Sequence, residues 1–465
     1  MDSVTDTSPP DADQAGEVPA RPPAGRDGHR PRVLYLSFYF PPSRASGVFR
    51  ARATANHLAE SGWDVTVHAG PREFFEHYLD AGTDPKLEET VDPRVTVVRP
   101  PMSFFNFEHD IRRFSFFRRN WPLFAHNLYF TAQKKIFTEH YLGWAPGVLR
   151  TALRQHRKQK FDVVVATGNP FVSFALARTL GKLLKIPYVV DYRDSWTFNQ
   201  FTEKIRFPDD SPVLKWEEKV IRDAAEVVFV NDGMRQWHVD RYPFAKDRMT
   251  VVPNGWEPEL LGRPVFRAPD PARPLSFSYL GTVTPYLPLD ALFEGWRRAR
   301  QHPLLADAEL NIHGHLGFFP HDRAPLEDRL AKEADAGVVY RGSFSKTDVA
   351  DLYKQTDVLV FCVPGAKYVT SGKVFEYMAN AKPIVSVHNP DIASVDVLAG
   401  YPLWFSSDQL DPKVLAESFV ASAQAARKLD LATFEAALGH ADEYTRAATL
   451  APLEKRLRAM LKERR

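Results

Sequence analysis

Cysteine is nearly absent: the 465 residues carry one, Cys362. No disulfide can form within the chain, and a thiol inside an apolar run reads as core packing in a reducing compartment. Long apolar runs are missing too. None approaches the roughly 18 residues that cross a bilayer, so no integral span is expected. Neither charge sign prevails. The formal net charge is +2 with 25% charged residues, which argues against a dedicated nucleic-acid binder and leaves acidic small molecules as partners. GxGxxG occurs nowhere, so a dinucleotide is not expected and no cofactor is called for. The 15 histidines show no metal-ligand spacing; His313 and His315, two apart near a strand end, read as loop residues or ligand contacts. Asp11-Ala-Asp13 lies outside the folded part, and no metal site is expected. Residues 1–30, rich in Pro, Asp, Gly and Ala without an apolar segment, read as a disordered tail and not a signal peptide. A cytoplasmic protein is expected.

What is present begins at Arg32. Short Val-rich runs that hardly alternate predict strands at Val33–Ser37, Val65–Ala69, Val95–Arg99, Val163–Thr167, Tyr188–Tyr192, Val227–Val230 and Met249–Val252. Strands of that composition are buried on both faces, which means a parallel sheet covered by helices. A Pro-rich break, Arg267 to Pro274, separates them from a second series: Leu275–Leu280, Glu309–His313, Val338–Tyr340, Val358–Cys362, Ile384–Val387 and Leu403–Phe405. Ser345-Lys346-Thr347-Asp348 is a capping signal opening a helix through Tyr353. Two doubly wound halves joined by a linker account for the pattern, with ligands beyond the carboxyl ends of the strands.

One stretch there carries chemistry: Thr370-Ser371-Gly372-Lys373-Val374-Phe375-Glu376-Tyr377. It runs from the Val358–Cys362 strand into a helix expected over Val374–Asn380. A helix start offers unpaired N–H groups, Gly372 admits a close ligand, and Lys373 adds a charge suited to phosphate. Glu376, one turn on, suits ribose hydroxyls. Together they point to a nucleotide, although an ordinary helix start capped by Ser371 fits the same residues. At other strand ends, Gly47 and Arg50 suit an anionic group, and Asp191-Tyr-Arg193-Asp194-Ser-Trp196 gathers charges that also fit a structural ion pair.

Six segments in order resemble the retaining nucleotide-sugar glycosyltransferases of the GT-B fold, group 1 (family four). They are Leu36-Ser-Phe-Tyr-Phe-Pro-Pro with Gly47, His57-Leu-Ala-Glu-Ser-Gly-Trp-Asp-Val-Thr-Val, Ala166-Thr-Gly-Asn-Pro, Asp191-Tyr-Arg-Asp-Ser-Trp, Val252-Pro-Asn-Gly255 and Thr370 to Tyr377. The resemblance implies an α/β chain of two Rossmann-like domains facing a cleft. Residues 31–262 would bind the acceptor, 263–440 the nucleotide sugar, and a helix over 441–465 would return to the first domain. It implies donor contacts at Tyr368, Thr370, Ser371, Gly372, Lys373, Glu376, Asn254 and Gly281, acceptor contacts at Gly47 and Arg50, and catalysis by Lys373, Arg193 and Asp194 without a metal. The activity implied is hexosyl or N-acetylhexosaminyl transfer in glycan or polysaccharide biosynthesis. Three departures stand out. Tyr368 occupies the place of the family's earlier glutamate, Gly281 to Leu289 lacks the usual basic pair, and Arg193 stands where many members carry histidine. A sugar-nucleotide epimerase and a silent sugar-nucleotide-binding subunit remain as alternatives.

The insertion over 101–159 interleaves Phe104, Phe105, Phe107, Phe114, Phe116, Phe117, Trp121, Phe124, Tyr129 and Phe130 with Arg112, Arg113, Arg118, Arg119, Lys134 and Lys135. Such a mixture either packs on the acceptor half or lies at an anionic membrane surface, the inner face in this case, where a lipid-linked acceptor would be met.

Overall fold

A computed structural model describes residues 30–79, 82–136, 139–317, 319–344, 349–365, 367–407 and 409–464. The tail and the Ser345–Asp348 capping signal lie outside the described residues, as does the side chain of Lys135.

The first sheet contains β1 (Arg32–Leu36), β2 (Asp64–His68), β3 (Thr96–Val98), β4 (Val163–Gly168), β5 (Tyr188–Tyr192), β6 (Glu226–Phe229) and β7 (Met249–Val251). The second contains β8 (Ser276–Leu280), β9 (Glu309–His313), β10 (Val338–Gly342), β11 (Val358–Cys362), β12 (Ile384–Val387) and β13 (Trp404–Ser406). Each expected run is a strand; Tyr188–Tyr192, Glu309–His313, Val358–Cys362 and Ile384–Val387 keep their expected bounds, and the others shift by a residue or two at one end or both. All pairings are parallel, in the orders β3-β2-β1-β4-β5-β6-β7 and β10-β9-β8-β11-β12-β13. Val33, Leu34, Val163, Val164, Val189 and Val190 are wholly buried and divide between cores on opposite faces of the first sheet, as non-alternating runs require. Strand order reverses between β1 and β4 and between β8 and β11, and those switch points open the crevices where such sheets bind ligands.

The chain crosses between the halves twice, and the crossings are stitched together. The N–H of Trp256 donates to the carbonyl of Tyr444 (3.0 Å), that of Arg446 to the carbonyl of Trp256 (2.8 Å), and the Trp256 indole to the carbonyl of Ala441 (2.7 Å). A side chain at Gly255 would meet the Tyr444 carbonyl at 2.3 Å, so glycine is required there. The single helix expected over 441–465 is two: one ends at Asp442, and another, Arg446–Lys462, restarts under a cap in which the Thr445 hydroxyl accepts from the N–H of Ala448 (3.2 Å). Leu450, Leu453 and Leu457 of the second pack with Val33, Tyr35 and Val65 of the first half. Tyr444 instead lies beside Phe375 in the second half.

The insertion divides its aromatics. Phe104 and Phe107 pack on the core of the first half, Phe105 stacks on Tyr129 (centroids 4.3 Å apart), and the Arg118 guanidinium covers Phe114 at 3.6 Å. On helices Phe116–Asn120 and Pro122–Ile136 and at Trp121 between them, by contrast, Phe116 is 77% exposed, Trp121 53%, Leu123 79% and Phe124 61%. No helix among the described residues is long and apolar enough to cross a membrane.

Candidate functional site

At the β8/β11 switch point three strand ends converge on one amine. β11 leads through a loop to the helix Lys373–Met378, whose N-cap is Gly372. A side chain built at Gly372 would meet nothing within 4 Å, so the helix start faces open space. A Cβ at Gly281, just past β8, would fall 1.3 Å from the Lys373 Nζ: only glycine leaves room for the ammonium. Gly314, just past β9 at φ +139°, presses to within 1.9 Å (measured from a built Cβ) of the Gly281 carbonyl. Tyr377 locks the register by accepting from the N–H of Leu280 (3.0 Å).

Lys373 forms no ion pair or hydrogen bond among the described residues; its Nζ lies 5.2 Å from the centroid of the Tyr279 ring. Burial lowers its pKa from 10.5 to about 8, with the Glu376 carboxylate opposing that fall. Glu376 accepts from the Tyr353 hydroxyl (3.2 Å). Thr370, Ser371, Gly372, Lys373, Glu376 and Gly281 thus fall in one place. A charged amine held half-dry beside open backbone N–H groups is suited to a polyanion such as a diphosphate.

On the first half, the predicted residues separate into two groups. Arg193 lies across Gly47, where a Cβ would meet its Nη1 at 1.0 Å, and it pairs with Asp194 (2.8 Å). Arg50 differs from expectation. It does not point outward to an acceptor but forms a buried fork on Asp191 (Nε–Oδ2 and Nη2–Oδ1 both 2.8 Å) and donates to the Pro253 carbonyl (3.2 Å). An Arg at the third position of a buried helix face finds its counter-charge on the neighbouring strand. Asn254 is likewise occupied, its side-chain oxygen accepting from Arg446 (3.0 Å) at the crossing.

Tyr368 is the largest correction. Its ring turns away from Lys373 into the first half, 6% exposed, against Phe198 (5.2 Å). An aromatic ring gains more from that apolar socket than from facing a polyanion.

Three residues escaped the sequence reading. Glu139 accepts from the N–H of Phe171 (2.6 Å) at the start of helix Val172–Leu184, while its other oxygen is buried without a partner among the described residues. Burial raises this carboxyl to about 8. Close by, the hydroxyls of Tyr39 and Tyr141 share a hydrogen bond (2.6 Å). The insertion thereby supplies part of the wall beyond β1. A signal existed: Glu139 is the first acidic residue after Asp110. Among the described residues, no three His, Cys, Asp or Glu side chains gather as a metal cluster.

Two family models match the chain, "Glycosyl transferase 4-like domain" over residues 47–255 and "Glycosyl transferases group 1" over 275–420. Among curated proteins, no sequence matches. Solved structures share the fold at low identity. A glycosyltransferase from Rickettsia africae has TM-score 0.61 at 13% identity, covering 93% of this chain and 99% of that one. Sucrose-phosphate synthase from Thermosynechococcus elongatus has TM-score 0.58 at 15% identity, covering 92% and 100%. HepE of Anabaena, solved in complex with UDP, has TM-score 0.58 at 13% identity, covering 92% and 100%; it is also solved with UDP-glucose.

Proposed function

Since the chain belongs to the group-1 glycosyltransferases of the GT-B fold, we propose that it moves a hexosyl or N-acetylhexosaminyl group, with retention, from a nucleoside-diphosphate sugar at the β8/β11 switch point to a hydroxyl presented by the first half. The observation that carries this reading is the unpaired Lys373 ammonium against Gly281. The UDP and UDP-glucose complexes of the Anabaena protein support the donor class.

In the reaction proposed, the bond between the anomeric carbon and the diphosphate oxygen breaks with its electron pair on the phosphate. Lys373 and the N–H groups at Gly372 stabilise that charge more than the ground state. The acceptor oxygen bonds to the anomeric carbon on the same face, and its proton passes to the departing phosphate oxygen. Glu376 holds the ribose. Arg193, steadied by Asp194, faces the transferring sugar across Gly47. The charge supplied by Lys373 makes a divalent ion unnecessary. The test is turnover with a panel of nucleoside-diphosphate sugars and glycan acceptors in EDTA. Glycoside formation with retained configuration is expected. Epimer formation, donor binding without turnover, or activity restored only by Mg²⁺ or Mn²⁺ would each overturn the corresponding part.

The acceptor, in this reading, is a lipid-linked glycan of a cell-surface or polysaccharide pathway, met at the inner face of the membrane. Support comes from the exposed Phe116, Trp121, Leu123 and Phe124 on a stretch, 111–138, that has no carboxylate. Exposed rings and basic side chains suit the headgroup boundary, where each basic residue contributes roughly 1 kcal/mol. Liposomes containing anionic lipid should bind the protein at low salt and release it as salt rises. Replacing Arg112, Arg113, Arg118 and Arg119 by Ser should weaken binding further; no binding by the wild type at low salt leaves the rings as a cover for the acceptor pocket.

A further inference from the structure

We propose that Asn231, on the first half, is a positioning residue for the sugar-nucleotide loop of the second half, so that the cradle at Lys373 takes its working shape only when the two halves are in contact. This rests on the donor site proposed above.

Asn231 lies two residues beyond β6 and works in two directions. Its side-chain oxygen accepts from the N–H of Met234 (2.8 Å), capping the helix Asp232–Arg241. Its side-chain amide crosses to the other half, donating to the Tyr368 carbonyl (3.0 Å) and to the Thr370 hydroxyl (3.3 Å), and all three residues are buried. Two residues along, Gly233 touches the same loop: a Cβ there would lie 2.7 Å from the Lys367 carbonyl. The Tyr368 ring sits in a socket of the first half, against Phe198, which itself stacks on Trp237 (4.2 Å). The Tyr368 hydroxyl reaches Glu203 (3.4 Å).

Residues 367, 368 and 370 are therefore held by the first half, and Ser371, Gly372 and Lys373 follow directly in the chain. A backbone gripped that close to the cradle transmits its position to the phosphate-facing N–H groups, because displacement of about 1 Å is enough to cost much of a site's effect. When the halves part, the carbonyl of Tyr368 and the amide of Asn231 lose each other and the loop is released. Closure and donor engagement then favour each other by linkage.

The capping role and the crossing role separate cleanly by substitution. Aspartate caps helices as well as asparagine, so Asn231→Asp keeps the bond from Met234. It has no N–H to give the Tyr368 carbonyl and sets a negative charge against it. Gly233→Ala leaves the cap and improves helix propensity, yet pushes on the Lys367 carbonyl. Hydrogen exchange, measured without any donor, should quicken over residues 367–375 in both variants while exchange in the strands of the two sheets stays near that of the wild type. Donor Kd and KM should rise at least about tenfold, the scale set by losing a buried hydrogen bond and leaving its acceptor unpaired, with acceptor KM unchanged. Wild-type exchange rates and wild-type donor Kd in Asn231→Asp would overturn the proposal. If the wild type binds no nucleoside-diphosphate sugar, the donor reading falls instead, and the exchange measurement still decides whether the loop is gripped.

Discussion

Lys373→Ala lowers kcat by about 10²–10³, the loss of about 2.7–4 kcal/mol that follows removal of one preorganised group from a developing anion. The amine is unusually available for this task. It is drawn into a gap that Gly281 leaves open, and it spends no hydrogen bond on any other described residue. Its removal deletes a buried charge, not an apolar contact, so the variant should fold. The pH dependence follows from a pKa near 8. In the free enzyme the ammonium is lost as pH rises through that value, and kcat/KM should fall with it. A bound diphosphate favours the charged form, so the fall in kcat should come at higher pH. Stability moves the other way. Because the folded pKa lies below the ordinary 10.5, this group adds relative stability to the folded state as pH rises from about 8 to 10.5, so its own titration does not unfold the protein there. Glu376→Ala should differ, weakening donor affinity with a smaller effect on the chemical step. Activity of folded Lys373→Ala within threefold of wild type would remove the lysine from the mechanism.

The local parts of this molecule were open to reading in the sequence and the long-range parts were not. Val-rich runs such as Val163–Gly168 announce doubly covered parallel strands because every position is buried whichever face it takes. The Thr370–Tyr377 stretch is legible for a similar reason: cap, glycine, cation and carboxylate are consecutive. Gly281 was visible as a glycine, but its reason, the Lys373 Nζ standing where a Cβ would be, lies 92 positions away in the chain. Arg50 and Asp191, 141 apart, each look like ligand groups until the fold closes them on one another. Tyr368 looks like a donor contact until Phe198 is seen to enclose it. The break at Thr445 was hidden because Tyr444, Leu450, Leu453, Leu457 and Leu461 approximate one apolar stripe, although the crossing at Trp256 needs a turn between Tyr444 and the leucines.

Asp191→Ala should cost about 3–5 kcal/mol of stability, the penalty for stranding one partner of a buried ion pair. Arg50 and Asp191 are 3% and 6% exposed and joined by two parallel hydrogen bonds. Around them the crossing between the halves is crowded with cations. Arg446, half-buried beside Arg50, is held down to about 10, by loss of solvent first and by that neighbour next, and Arg52 is matched to Glu257. Without Asp191, Arg50 faces Arg446 across the Asn254 side chain that both of them contact. Water cannot replace the lost carboxylate in so closed a place, and the repulsion falls on the segments that join the halves. In a domain of this size about 1 kcal/mol moves the melting point by roughly 2–4 °C, so a drop of order 10 °C is expected. Replacing both partners by leucine should restore much of it, because a buried pair contributes little beyond what apolar packing can supply. A single variant melting within 2 °C of the wild type would mean that the pair is open to solvent and that the crossing is held by Trp256 and its backbone bonds alone.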